Sequence, residues 1–138
     1  MSNRIFLIEG DYSTSKACVE LVKDKKNKTY TPEARASMYY RRMLSSVTAV
    51  DDLNLIVTGG LNPSHSKTEH YTIQDDTWHS NGLPELINGR KSHSSCAFDS
   101  RFVFIFGGRN VKNQAISSIE KLDFNIMKQG WKQIEVRS

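Results

Sequence analysis

Residues 42–60 read RMLSSVTAVDDLNLIVTGG, and residues 90–108 read RKSHSSCAFDSRFVFIFGG. The second stretch begins 48 positions after the first and aligns with it without a gap: Ala49 meets Ala97, Asp51 meets Asp99, and Gly59 and Gly60 meet Gly107 and Gly108. Self-similarity at a period of about 20–50 residues is the mark of stacked supersecondary units, each too small to bury its apolar face alone. The correspondence continues after a loop three residues longer in the second copy, where Thr68-Glu-His-Tyr-Thr-Ile73 lies over Ile119-Glu-Lys-Leu-Asp-Phe124. Each copy then reaches a tryptophan, Trp78 seven positions after Tyr71 and Trp131 nine after Leu122.

The first forty residues repeat this order faintly, as Ile5-Phe-Leu-Ile-Glu-Gly10, then Cys18-Val-Glu-Leu-Val22, then Tyr30, without the opening segment. The chain divides into a degenerate unit over 1–40 and two fuller units over 41–88 and 89–138. Within each unit, short runs rich in Val, Ile, Phe, Tyr and Thr are separated by clusters of Gly, Asn, Asp, Ser and Pro, the pattern of strands and turns. The run Phe102-Val-Phe-Ile-Phe106 is apolar throughout and too short for a helix, so it reads as a strand covered on both faces. Strands are expected near 53–58, 68–73, 102–106, 117–124 and 131–136, with three strands in the first unit and four in each of the others.

With the paired glycines, then an aromatic residue or Leu, then Trp, the chain resembles the kelch repeat over nearly its whole length. Arg90-Lys-Ser-His93 matches the Arg-X-X-His opening of some kelch copies; the earlier copy has Arg41-Arg-Met-Leu44 there, without His, and the N-terminal unit has one glycine. The resemblance implies an all-β, partial kelch-type β-propeller of roughly three four-stranded antiparallel blades, the first incomplete. In it Gly59, Gly60, Gly107 and Gly108 are backbone devices, Tyr71, Leu122, Trp78 and Trp131 pack between blades, and Arg90 and His93 make contacts between blades. Each buried indole N–H then needs an acceptor.

Other chemistries fit poorly. Neither glycine pair completes GxGxxG or GxxxxGK[ST], and no helix pattern follows, which removes a phosphate cradle. His65, His70 and His79 have no common ligand spacing and read as exposed or loop histidines. Cys18 and Cys96 have no CxxC partner and read as reduced, half-buried strand residues. Asp51-Asp52 and Asp75-Asp76 read as hairpin turns. The net charge of +4 comes partly from Lys23-Asp-Lys-Lys-Asn-Lys28, a solvated loop by its composition, and nucleic-acid binding through it with Arg35, Arg41 and Arg42 is a minor alternative. No apolar run reaches the roughly 20 residues of a membrane helix and the N-terminal run is too short for a signal peptide, so a cytoplasmic location with no membrane contact is expected.

These features predict a non-catalytic scaffold for a protein partner, without cofactor or metal. The contact loops are expected at 61–67, 83–88 and 109–115, with Asn62, His65, Lys67, Arg109, Asn110, Lys112 and Asn113 as candidate residues. Kelch families include partners such as cytoskeletal proteins and ubiquitin-ligase substrates, and also oxidases, lyases and sugar isomerases. A copper oxidase of that kind needs a Tyr and Cys cross-link and histidines from several blades, more than three blades enclose. Terminal blades would leave apolar faces open, so the expectation is either a fragment of a longer propeller, which is favoured, or self-association of two copies toward a six-bladed ring.

Overall fold

The computed structural model describes residues 4–8 and 16–135; Gly10 and Val136, expected at the ends of apolar runs, lie outside the described residues. The chain is all-β, with three antiparallel sheets, none closed on itself. The first sheet contains β1 (Ile5–Ile8), β2 (Cys18–Lys23) and β3 (Tyr30–Ala34). The second contains β4 (Ser46–Ala49), β5 (Asn54–Thr58), β6 (Thr68–Thr72) and β7 (Thr77–His79). The third contains β8 (Ser94–Phe98), β9 (Phe102–Phe106), β10 (Ile119–Asp123) and β11 (Lys132–Ile134). Among the described residues the strand count runs three, four and four, as the repeat predicts.

Local chemistry sets the turns. Asp51 accepts the Leu53 N–H at 2.8 Å to shape the β4–β5 hairpin, and at the matching β8–β9 turn Asp99 and Ser100 take φ of 58° and 47°, the dihedral signs of a type I′ turn. One element departs from expectation. The longer connection before Trp131 is a 3₁₀ helix, Phe124–Gln129, started by Asp123, whose carboxylate accepts the Asn125 N–H at 3.1 Å.

Because strand side chains alternate, each sheet has two faces, here called front and back. On the front of the second sheet, Leu55, Val57, Tyr71 and Trp78 form one core layer with Cys18 and Met38, and Phe6 and Ile8 on the back of the first sheet pack against it. Ile56 points the other way, into a second layer with Val103, Ile105, Leu122 and Trp131 on the front of the third sheet. Both junctions are therefore back to front, and Tyr71, Leu122, Trp78 and Trp131 are all buried. The indoles find acceptors across the junctions: Trp78 Nε1 donates to the Ala36 carbonyl at 2.8 Å and Trp131 Nε1 to Thr68 Oγ1 at 3.2 Å.

Three expectations need correction. Phe102–Phe106 is covered on one face only: Val103 and Ile105 are buried, while Phe106 is 42% exposed on the uncovered back. Cys18 is buried at the first junction, whereas Cys96 is exposed, because β8 turns Cys96 toward the uncovered back of the third sheet. His70, placed by the repeat on the 68–73 strand, is not solvent-exposed but half-buried: on β6 it meets the Phe124 ring edge-on at 5.1 Å between the second and third sheets. His79 is exposed and His65 half-buried. Among the described residues, no helix is long and apolar enough to cross a membrane.

The paired glycines do unequal work. Gly60 and Gly108 adjoin carbonyls of their own units, at Met43 and Lys91. Gly59 and Gly107 have similar φ, +65° and +72°, where any side chain is strained. A methyl on Gly59 would also strike the Arg90 carbonyl and lie 2.6 Å from His93 Cε1, while one on Gly107 would meet nothing within 4 Å. Gly107→Ala is therefore expected to cost about 1–2 kcal/mol from backbone strain, and Gly59→Ala at least about twice that. Urea denaturation measures both, and equal losses would refute the asymmetry.

Candidate interaction surface

The loops of the second and third sheets grow from two copies of one buried ion pair. Glu69 on β6 sits opposite Val57 and Glu120 on β10 opposite Ile105, so the two carboxylates lie on equivalent front positions. Arg42 Nε reaches Glu69 at 3.0 Å and Arg90 Nη2 reaches Glu120 at 2.7 Å, with all four side chains fully enclosed. A buried charge is tolerated only when its remaining hydrogen-bonding capacity is filled. Arg42 Nη1 donates to the carbonyls of Gly59 (2.7 Å) and Lys67 (3.0 Å), and Arg90 Nη1 to those of Gly107 (3.1 Å) and Ser118 (2.9 Å). The carboxylates also accept the backbone N–H three residues before each arginine, from Tyr39 at 2.7 Å and Ile87 at 2.6 Å. Each arginine thus holds both roots of a loop, one rooted at Gly59 and Lys67 and the other at Gly107 and Ser118. Sequence reading singled out Arg90 but missed Glu69 and Glu120; a glutamate at the same place in two aligned strands was the available signal.

Those rooted loops converge. Residues of all three predicted loop regions line one groove of about 580 Å³, with His65, Ile87, Asn88, Asn110, Ser117 and Gln133 among its walls. A smaller pocket of about 100 Å³ adjoins it and adds Asn62, Lys91 and Arg109. Of the candidate contact residues, Asn62, His65, Arg109 and Asn110 are brought together. Lys67 is not, since its ammonium pairs with Glu85 and lies 5.8 Å from the centre of the Tyr40 ring. Lys112 and Asn113 are exposed at the tip of the same 109–115 loop and line neither cavity.

Several lining groups serve the loops themselves. Asn110 Oδ1 accepts the N–H groups of Lys112 and Gln114 at 3.0 and 2.9 Å, and Arg109 donates to the Asn113 carbonyl at 2.8 Å. His65 Nδ1 is enclosed without a hydrogen-bond partner among the described residues. Asn88 lies in the expected 83–88 loop, whereas Ser117 and Gln133 were not singled out from sequence; their neutral amide and hydroxyl groups suit hydrogen bonding to an uncharged chain. No carboxylate lines either cavity. Among the described residues, no three His, Cys, Asp or Glu side chains form a metal-sized cluster.

The basic residues grouped for nucleic-acid binding differ in exposure, and Arg41 is exposed. Arg42 is enclosed, and Arg35 is paired with Glu20 at 2.7 Å and Glu33 at 2.9 Å. Lys23 to Lys28 surround an exposed turn in which Asp24 accepts the N–H groups of Lys26 and Asn27. No family model matches the chain, and no curated protein matches it.

Two histidines sit in the junction between the second and third sheets. Burial, reinforced by His79, lowers the His70 pKa to about 4; burial, with Arg90 and Arg42 adding repulsion, lowers that of His93 to about 4. Asn54 donates its amide N–H groups to Asp51, so its oxygen accepts a hydrogen bond from His70 Nε2–H at 2.7 Å, and Thr58 Oγ1 lies 2.9 Å from His93 Nε2. With folded values below the ordinary 6.5, the unfolded chain binds more protons between about pH 6.5 and 4, and stability falls as pH drops through that window. Urea midpoints are expected to decline from pH 7 to pH 4.5, and His93→Gln is expected to flatten that decline; a variant with an unchanged slope would exclude His93 as a source.

Proposed function

We propose that this chain is a non-catalytic interaction scaffold, a segment of a kelch-like β-propeller whose loop end binds a protein partner. The observation that carries the reading is the convergence of three loop regions on one neutral polar groove, two of them rooted by the buried arginine–glutamate pairs. A groove with fixed walls, amide and hydroxyl donors and acceptors, and the apolar side chains of Ile87 and Val111 suits a polypeptide segment, whose backbone needs hydrogen bonds and whose side chains need shallow contacts. Rigid roots reduce the entropy lost on binding. The repeat, the back-to-front sheets and the buried Tyr71, Trp78, Leu122 and Trp131 support the propeller segment.

Affinity capture with quantitative mass spectrometry tests this. Ser117→Arg and Val111→Glu together place charge and bulk on the groove while leaving both core layers intact, and are expected to lower recovery of the bound protein by about tenfold or more. Lys26→Glu, on the exposed turn of the first sheet, is expected to leave recovery unchanged. Loss of binding with Lys26→Glu and not with the groove variant would move the contact to the basic turn and overturn the reading.

A further inference from the structure

The two ends of the three-sheet stack carry bare faces of opposite kinds. On the back of the third sheet, Cys96 lies opposite Phe104, Phe98 opposite Phe102, and Phe106 opposite Ile119, an aromatic patch on which Phe98 is 66% and Phe106 42% exposed, bordered on β10 by Asp123 and by Lys121, whose ammonium lies 4.1 Å from the centre of the Phe102 ring. On the front of the first sheet, Ile5 lies opposite Leu21, Leu7 opposite Val19, and Leu21 opposite Pro32, with Ile5 42% and Leu7 51% exposed. Contiguous apolar faces of this kind are unusual on a free surface and mark interfaces.

Within the chain, each covered back rests on a neighbouring front, and both junctions use this arrangement. We infer that the exposed back of the third sheet is covered by the exposed front of the first sheet of a second copy of this chain, in a head-to-tail contact that continues the internal stacking. The occupant follows from the faces themselves: one chain carries both halves of a back-to-front junction, an aromatic patch over β8 and β9 on one and an aliphatic patch over β1 and β2 on the other. A back-to-back pair would oppose two crowded aromatic surfaces, for which neither internal junction offers a precedent. Two copies joined at both ends leave no bare terminal face, so the expected assembly is a closed dimer with two-fold symmetry. The inference stands on the sheet ends and does not depend on the loop groove.

Sedimentation equilibrium on the full chain tests it. The expected mass rises with concentration to twice the 15.7 kDa of the monomer, and Cys96 becomes slower to react with a maleimide as the dimer forms. Leu7→Glu on one face and Phe104→Glu on the other are each expected to abolish the dimer. Mixed in equal amounts, the two variants retain one intact back and one intact front, and are expected to associate 1:1 where neither does so alone. That rescue also shows that both variants are folded; Phe98→Glu provides a milder substitution on the same back face. A wild-type monomer up to the solubility limit overturns the inference, as does a dimer that survives Leu7→Glu, which would indicate back-to-back pairing. Ser117→Arg with Val111→Glu is expected to leave the dimer intact, separating failure of this inference from failure of the groove.

Discussion

The buried pairs Arg42 with Glu69 and Arg90 with Glu120 are the constraint around which the second and third sheets are built. An enclosed guanidinium left without its carboxylate would be an uncompensated charge, typically costing about 3–5 kcal/mol. The pair itself adds little net stability over well-packed apolar residues. Its effect is selective, because only one placement of the incoming strand lets a single arginine reach a carboxylate, the glycine carbonyl and the carbonyl that closes the loop. The loop between those carbonyls can then vary in length and composition without moving its ends. A fixed junction and a loop free to vary thus come from the same two side chains.

The two junctions have different chemistry despite their common geometry. The first is sulfur and aromatic: Cys18 is pushed up to about 12 by burial, and Phe6 meets Tyr71 edge-on at 5.9 Å. Tyr71 stacks on Trp78 at 4.8 Å and donates to Asp76 at 2.7 Å. The second junction is aliphatic at its centre, with hydrogen-bonded polar groups toward its margins. Ser46 and Ser95 share a hydrogen bond at 2.6 Å, and the Gly60 N–H reaches the Arg90 carbonyl at 2.9 Å. The hydroxyl and imidazole groups there fix lateral position, which close-packed aliphatic side chains alone would leave less specific.

Much of this was legible in the sequence because the repeat placed two weak patterns in register. The glycines, the tryptophans and the strand count of three, four and four came from the 48-residue offset, and the loops that meet at the groove came from where the copies differ. The missed features depend on what lies across a junction. Alternation places His70 on the face opposite Tyr71, but the cover over that face comes from Phe124, more than fifty residues later. The two extra residues before Trp131 read as a longer turn, and only packing shows that Phe124 and Met127 fold them against the second core layer. Glu69 and Glu120 have the composition of exposed strand residues; their burial becomes apparent only when each is matched to the arginine that precedes its strand.

The separation of fronts from backs also limits how such a chain can change its length over generations. A one-residue insertion within β5 would exchange the roles of Ile56 and its neighbours Leu55 and Val57, turning residues from one core layer into the other and damaging two junctions at once. Gain or loss of an entire repeat makes no such exchange, because each new back meets a front of the kind it already fits. The architecture therefore favours growth by duplication of whole units and resists small insertions within strands. Short changes accumulate where the two copies already differ, in the loop after the paired glycines and in the turn before the tryptophan.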